Sequence, residues 1–313
     1  MSGKQLGYVL IALIIIGVSG IGVRIISTDS NDFTMSGLLP ITSDVIDRVS
    51  IASNNSNVAT TDNVNLKKIN ETNWIVGRHN VFPQTLQNFW GHVFNIKNAQ
   101  LVSREPKYHN RLGVTNNSGS TITFYLGQSV LEQFIVGDTW AADVRLCYIR
   151  KSGKTDVYSI PCPQSPSIVF STNPNLWRNP IIVSIPPNEI SSLDYEFSNP
   201  NKNYSVTKMP NNDWVIDESI IADTRKIDSM LEILSQFYTT SFENDAVNFD
   251  SPNVSIRINT TEGFASKIKF LSKDSESYYV QVPSQPGTIF IVSKEMTDAY
   301  LLLDKESLQI LPN

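Results

Sequence analysis

An α+β fold built from two tandem copies of one unit, behind an apolar N-terminal segment, is what this sequence predicts, and three observations predict it. The stretch TNWIVGRHNVFPQTLQNFWGHVFNI at 72–96 is answered by NNDWVIDESIIADTRKIDSMLEIL at 211–234. In both, a polar turn leads into Trp plus two β-branched residues, then a short gap, then a helical pattern. Short alternating runs bounded by turn residues fill most of the remaining chain, as antiparallel strands do. Finally, residues 5–23 form an uncharged run between Lys4 and Arg24, dense in Leu, Ile and Val.

The elements follow in order. About 19 apolar residues at 1.5 Å rise make a helix of about 28 Å, enough to cross a bilayer core. Residues 5–26 are therefore expected to be a transmembrane anchor. A cleaved signal peptide is the competing reading, with small residues at Val18-Ser19-Gly20, but apolar character continues past that point. Residues 27–40 are polar and aperiodic, a linker. Strands are expected at 45–52, 64–69 and 74–76. A helix is expected at 82–97, where Phe82, Leu86, Phe89, Trp90, Val93 and Ile96 share a face and Pro83 suits the first turn. Further strands are expected at 99–103, 121–126, 131–137, 143–149 and 156–161, the last two joined by a turn at Ser152-Gly153.

The second half replays this order. Strands are expected at 191–197, 204–209 and 214–216, and a helix at 220–237, lined by Ile220, Ile227, Met230, Leu231, Leu234 and Phe237, with Asp223 as N-cap. Four more strands follow at 254–258, 266–272, 277–282 and 288–292. Between the halves, seven prolines from Pro161 to Pro187 exclude a long helix and leave a helical turn near Asn175–Arg178. The expected domains are 41–186 and 187–313, each an antiparallel-rich sheet packed against one main helix. A repeat of this length is a whole domain rather than a solenoid unit.

Composition narrows the function classes. The chain has 313 residues, 41% of them hydrophobic, so it can bury a substantial core. Its net charge of −5 comes from 25 basic and 30 acidic residues spread along the chain, without the basic stripe that nucleic acid requires. Catalytic signatures are missing: there is no HExxH, Gly-rich phosphate loop, GxSxG or EF-hand loop. The three histidines, His79, His92 and His109, read as satisfied or exposed side chains rather than metal ligands. Asp228 and Glu232 stand one helical turn apart, a spacing that permits acid–base work but also marks an ordinary solvated face. Trp74 and Trp214 are assigned to the cores of their own halves, as structural residues, because each recurs with the same neighbours. No catalytic, cofactor-binding or metal-binding residue is expected.

Cys147 and Cys162 are the only cysteines. With Ser152-Gly153 as the turn, Cys147 faces Tyr158 and Cys162 lies four residues farther on, roughly 13 Å along the strand, so no disulfide is expected.

These stretches also carry a resemblance. Asn73-Trp74-Ile75-Val76, its copy Asp213-Trp214-Val215-Ile216, the RLGV at 111–114, and Leu176-Trp177-Arg178-Asn179 followed by Pro187 and Ile190 resemble the domain-of-unknown-function family 4340, over nearly all of 41–303. The RLGV element has no clean copy in the second half, where NFDSPNV stands at 248–254. The resemblance implies a bacterial single-pass membrane protein with a duplicated α+β domain, some relatives being encoded beside ABC transporters of the gliding-motility-auxiliary type. It brings no catalytic residues. The expected function is a membrane-anchored, extracytoplasmic interaction or assembly module, auxiliary to a transport system and without catalysis. Its expected partners are the membrane, through residues 5–26, and a protein of the cell envelope, with no nucleic acid. One alternative is a module binding a cell-envelope polymer, which would show several exposed aromatics in one groove. Another is a carboxylate-dependent hydrolase, which would show two acids close together in a pocket.

Overall fold

The computed structural model describes residues 44–54, 63–141 and 143–310. The expected anchor at 5–26 and linker at 27–40 lie outside them. Among the described residues no helix is long and apolar enough to cross a membrane.

The fold is α+β, with two large, mainly antiparallel sheets and few helices. The first sheet comprises β1 (Arg48–Ser53), β2 (Asn63–Lys68), β3 (Trp74–Val76), β4 (His79–Asn80), β5 (Gln100–Ser103), β6 (Ser120–Leu126), β7 (Ser129–Ala141), β8 (Leu146–Lys151) and β9 (Val157–Pro161). Helix α1 (Pro83–Asn95) connects β4 to β5, and a single helical turn, α2 (Pro166–Val169), follows β9. After β10 (Ile181–Val183) the second sheet begins: β11 (Ile190–Phe197), β12 (Tyr204–Lys208), β13 (Trp214–Ile216) and β14 (Ile220–Ile221) lead into α3 (Thr224–Ser235). Then come β15 (Phe237–Tyr238), which pairs with β10, and β16 (Phe242–Glu243), β17 (Val254–Thr260), β18 (Gly263–Ser272), β19 (Ser277–Gln281) and β20 (Ile289–Ser293), before α4 (Lys294–Tyr300).

Strand order runs β4-β3-β2-β1-β6-β7-β8-β9-β5 in the first sheet and β14-β13-β12-β11-β17-β18-β19-β20-β16 in the second. The two orders are the same. Trp74 opens β3 and Trp214 opens β13, the same place in each sheet, and both rings are buried. The likeness extends beyond the sheets. The N–H of Val81 donates to the Trp74 carbonyl (2.8 Å), and the N–H of Ala222 to the Trp214 carbonyl (2.9 Å). Val81 then bridges Arg178, as Ala222 bridges Gln309, so a segment beyond each sheet returns to latch the start of its helix.

Two compact units are distinguished, one built mainly on 89–170 and the other on 62–88 and 171–313. The first has an aromatic core in which Phe89 of α1 meets Phe124 (6.4 Å between ring centroids) and Phe170 (5.9 Å), and Phe124 meets Phe134 (6.2 Å). On β7, Ile135 points the other way from Phe134 and packs with Val114 and Val157 beneath the RLGV loop, as a period of two requires. Buried Arg150 ties that loop down, with Nε donating to the Val114 carbonyl (2.8 Å), Nη1 to the Lys154 carbonyl (2.9 Å) and Nη2 to Asn116 Oδ1 (2.7 Å). Gly113 has φ +68°, and a Cβ there would stand 2.1 Å from Asp138 Oδ1, so the motif's glycine is sterically required.

In the second unit α3 buries Ile227, Met230, Leu231 and Leu234, spaced i, i+3, i+4 and i+7, against the sheet. Each contributes about 1.5–3 kcal/mol relative to exposure. Asp223 caps α3 as expected, accepting from the N–H of Arg225 at 3.1 Å. The helix is shorter than 220–237, because Ile220 pairs with Ile216 in β14 and Phe237 with Val183 in β15. Backbone pairing takes both ends of the apolar stripe.

The expectation of free cysteines is overturned. Cys147 and Cys162 form a disulfide with Cα atoms 5.4 Å apart. The turn closes between Lys151 and Lys154, but Thr155 and Asp156 remain unpaired before β9, which slips the register by two. Cys147 therefore faces Ile160, and Cys162 lies only two residues beyond, just past the end of β9, where its N–H reaches back to the Arg145 carbonyl (2.6 Å).

Candidate functional site

Within the second compact unit, three chain segments bring a concentrated set of buried polar groups together. The first is the β3–β4 hairpin, whose two-residue turn, Gly77-Arg78, pairs Val76 with His79 and directs His79 inward, leaving it 2% exposed. The second is the segment after the helical turn at Pro174–Leu176. Trp177, wholly buried, donates from Nε1 to the Ser171 carbonyl (2.9 Å), and this anchorage places Arg178 against β4. The carbonyl of Trp177 accepts from Phe82 N–H (2.8 Å), and that of Asn80 from Asn179 N–H (2.8 Å). The third comprises Phe242, Asn244 and Asp245 around β16, with the turn Gln285–Thr288.

These segments interlock. Arg178 Nη2 donates to Asn244 Oδ1 (2.6 Å), and its guanidinium lies over the Phe242 ring, 5.3 Å from the centroid. The His79 ring meets the same phenyl group edge-on at 5.8 Å. Arg78 Nη2 donates to the Asp245 carbonyl (2.6 Å), and Gln285 Nε2 to the Ile181 carbonyl (2.6 Å). Gly287 permits the approach, since a Cβ there would stand 2.4 Å from the Arg78 carbonyl oxygen.

What remains unsatisfied is equally specific. Arg178 Nε and Nη1, Arg78 Nε, His79 Nδ1 and Gln285 Oε1 are buried without a hydrogen-bond partner among the described residues. Neither arginine is in a salt bridge among the described residues, where the ion pairs join other side chains. Burial first, then the charges of Arg178 and Arg78, lower the His79 imidazole from 6.5 to about 4, so it is neutral at pH 7. Burial, then the Arg78 charge, also lowers Arg178 from the ordinary arginine value.

The residues singled out from sequence lie apart from this cluster, except for His79. The reading of all three histidines as satisfied or exposed fails for His79, which is buried with an unpartnered ring nitrogen. His92 packs against Phe170, and His109 Nε2 lies 2.7 Å from the Thr155 carbonyl. Asp228 and Glu232 are exposed on α3. Glu232 edges a groove of about 680 Å3 between α3 and α4 whose aromatic lining is Phe237 and Tyr238. Among the described residues no group of three His, Cys, Asp or Glu is placed to hold a metal ion. Arg78 and Arg178 escape a search for catalytic motifs because they lie 100 positions apart. The available signal was Arg178 within the Leu176-Trp177-Arg178-Asn179 match, where a cation follows a core Trp.

No curated protein and no solved structure matches the chain. A family model does match, over residues 74–252, from the Trp of the first hairpin, through the RLGV loop and Trp177-Arg178, to beyond the second hairpin and α3. This is more than half of the chain, which belongs to the family described as Domain of unknown function (DUF4340).

Proposed function

We propose that this protein is an envelope module: a single N-terminal anchor at 5–26 and a polar tether at 27–40 hold two copies of one α+β domain at the outer face of a membrane, where they position a protein partner. The observation that carries this reading is the Cys147–Cys162 disulfide. Disulfides persist in oxidising compartments and are rare in the cytosol, so the bridge favours an extracytoplasmic location for the folded part. The apolar run between Lys4 and Arg24 supplies the attachment, and the resemblance to transporter-associated relatives points to an ABC-type system as the setting.

On this reading the anchor matters more than any single exposed polar side chain. A chain truncated to begin at Leu39 folds and stays soluble but does not complement a deletion strain, whereas Asp228→Ala, Glu232→Ala and His109→Ala each complement it. Complementation by the truncated chain would refute the need for anchoring. Loss of function from either carboxylate change, in protein that remains folded and membrane-bound, would put a carboxylate-dependent hydrolase first.

A further inference from the structure

We infer that Arg78, Arg178, His79 and Gln285 form a binding site for a compact oxyanion, a phosphate or carboxylate group, reached from the solvent side of Arg78. The inference is independent of the anchoring proposal.

Three observations carry it. Among the described residues two guanidinium groups and an imidazole converge without a salt-bridging carboxylate, although a buried, uncompensated cation is among the costlier features a fold can keep. Phe242 offsets part of this cost through its ring face, but for one guanidinium only. Second, the unpartnered atoms are mostly donors, with Nε and Nη1 on Arg178 and Nε on Arg78. Water would fill the hydrogen bonds and leave both charges in place; an oxyanion answers both, as arginine pairs with carboxylate and phosphate do elsewhere.

Third, the fold does not need these charges. The second copy makes the same latch with the neutral Gln309 in place of Arg178, and its corresponding hairpin turn carries Asp217 and Glu218. At that turn Lys305 pairs with Asp217, so the second copy balances its charges where the first leaves cationic donors open. The Phe242 ring, met by both the Arg178 guanidinium and the His79 ring, forms an apolar wall, buried Gln285 belongs to the neighbouring turn, and Arg78, only half-buried, forms the rim. The neutral His79 presents either a donor or an acceptor at Nδ1, so it suits either ionisation state of a phosphate oxygen.

Thermal unfolding of the full chain tests this with inorganic phosphate and acetate as probes, each against sodium chloride at matched ionic strength. A saturable rise in Tm with one or both anions is expected, with chloride inactive. Response to phosphate alone assigns a phosphate site, and response to acetate alone a carboxylate site. Arg78→Gln, at the rim, should weaken the responding anion by about tenfold or more, since a hydrogen bond to a charged group is lost along with the charge. Asn244→Asp is the isosteric second variant. It places a carboxylate where Asn244 Oδ1 already accepts from Arg178, so it should raise Tm without added anion and abolish the response. In the unmodified chain, NMR titration of the His79 ring should move its pKa upward when the anion is added. Equal responses to chloride, phosphate and acetate, or an undiminished response in both variants, would overturn the site.

Discussion

Single side chains decide how this fold responds to acid. Because burial and two neighbouring cations depress His79 to about 4 in the folded state, the unfolded chain binds more protons than the folded one between pH 6.5 and 4. Its contribution to stability is complete above pH 6.5 and is lost as pH falls through that window. The depression corresponds to roughly 3–3.5 kcal/mol at most. Urea unfolding in anion-poor buffer should show that decline, and His79→Leu, which cannot ionise, should flatten it; an unchanged slope in the variant would assign the pH dependence to other groups. Trp74→Ala and Trp214→Ala should each cost about 3–5 kcal/mol, because both rings are buried and leave a cavity. The two tryptophans were legible in the sequence because they repeat with the same neighbours. The arginine cluster was not, because its members come from separate segments and only tertiary packing reveals that Arg178 lacks a counter-charge among the described residues.

Among the elements, the β8–β9 hairpin gives the clearest lesson. The alternating runs predict both strands, and both form, but the register depends on two unpaired residues, Thr155 and Asp156, that no periodicity records. A slip of two keeps every side chain on its face, so the hydrophobic pattern cannot detect it. It does bring the cysteines within bonding distance. The bridge closes a loop with a sequence separation of 15, for which the chain-entropy model gives about 3 kcal/mol. Thiol titration of denatured, unreduced protein should find no free group, and Cys147→Ser should lower unfolding stability by about that amount; two free thiols in freshly isolated protein would contradict the bridge. The short strands β4, β14, β15 and β16 were also missed. Two-residue strands carry too little periodicity to read, and Ile220 and Phe237 are apolar for a helix and a strand alike.

Across the whole chain, the α+β class and the order of the longer elements are readable because each local pattern agrees with its counterpart 130 to 140 residues away, roughly one domain length. Agreement between copies is informative where each copy alone is ambiguous. The identical strand orders extend that agreement to the return of each copy's last segment: Arg178 to Val81, and Gln309 to Ala222. The second return is reinforced by the Tyr195 and Tyr204 hydroxyls, which donate to the Leu301 (3.0 Å) and Leu303 (2.6 Å) carbonyls, and by the Lys305–Asp217 ion pair. This closure sets a timetable for a chain that emerges N-terminus first. The first hairpin stays unsealed until residue 178 is available, and the second until residue 309 is available. Domains fold as units during synthesis at about 5–20 residues per second, so each copy is exposed to proteases and to mispairing with its sibling for several seconds. Two sequences alike enough to share a topology, yet different in their latch residues, are well suited to keep each tail from sealing the other copy.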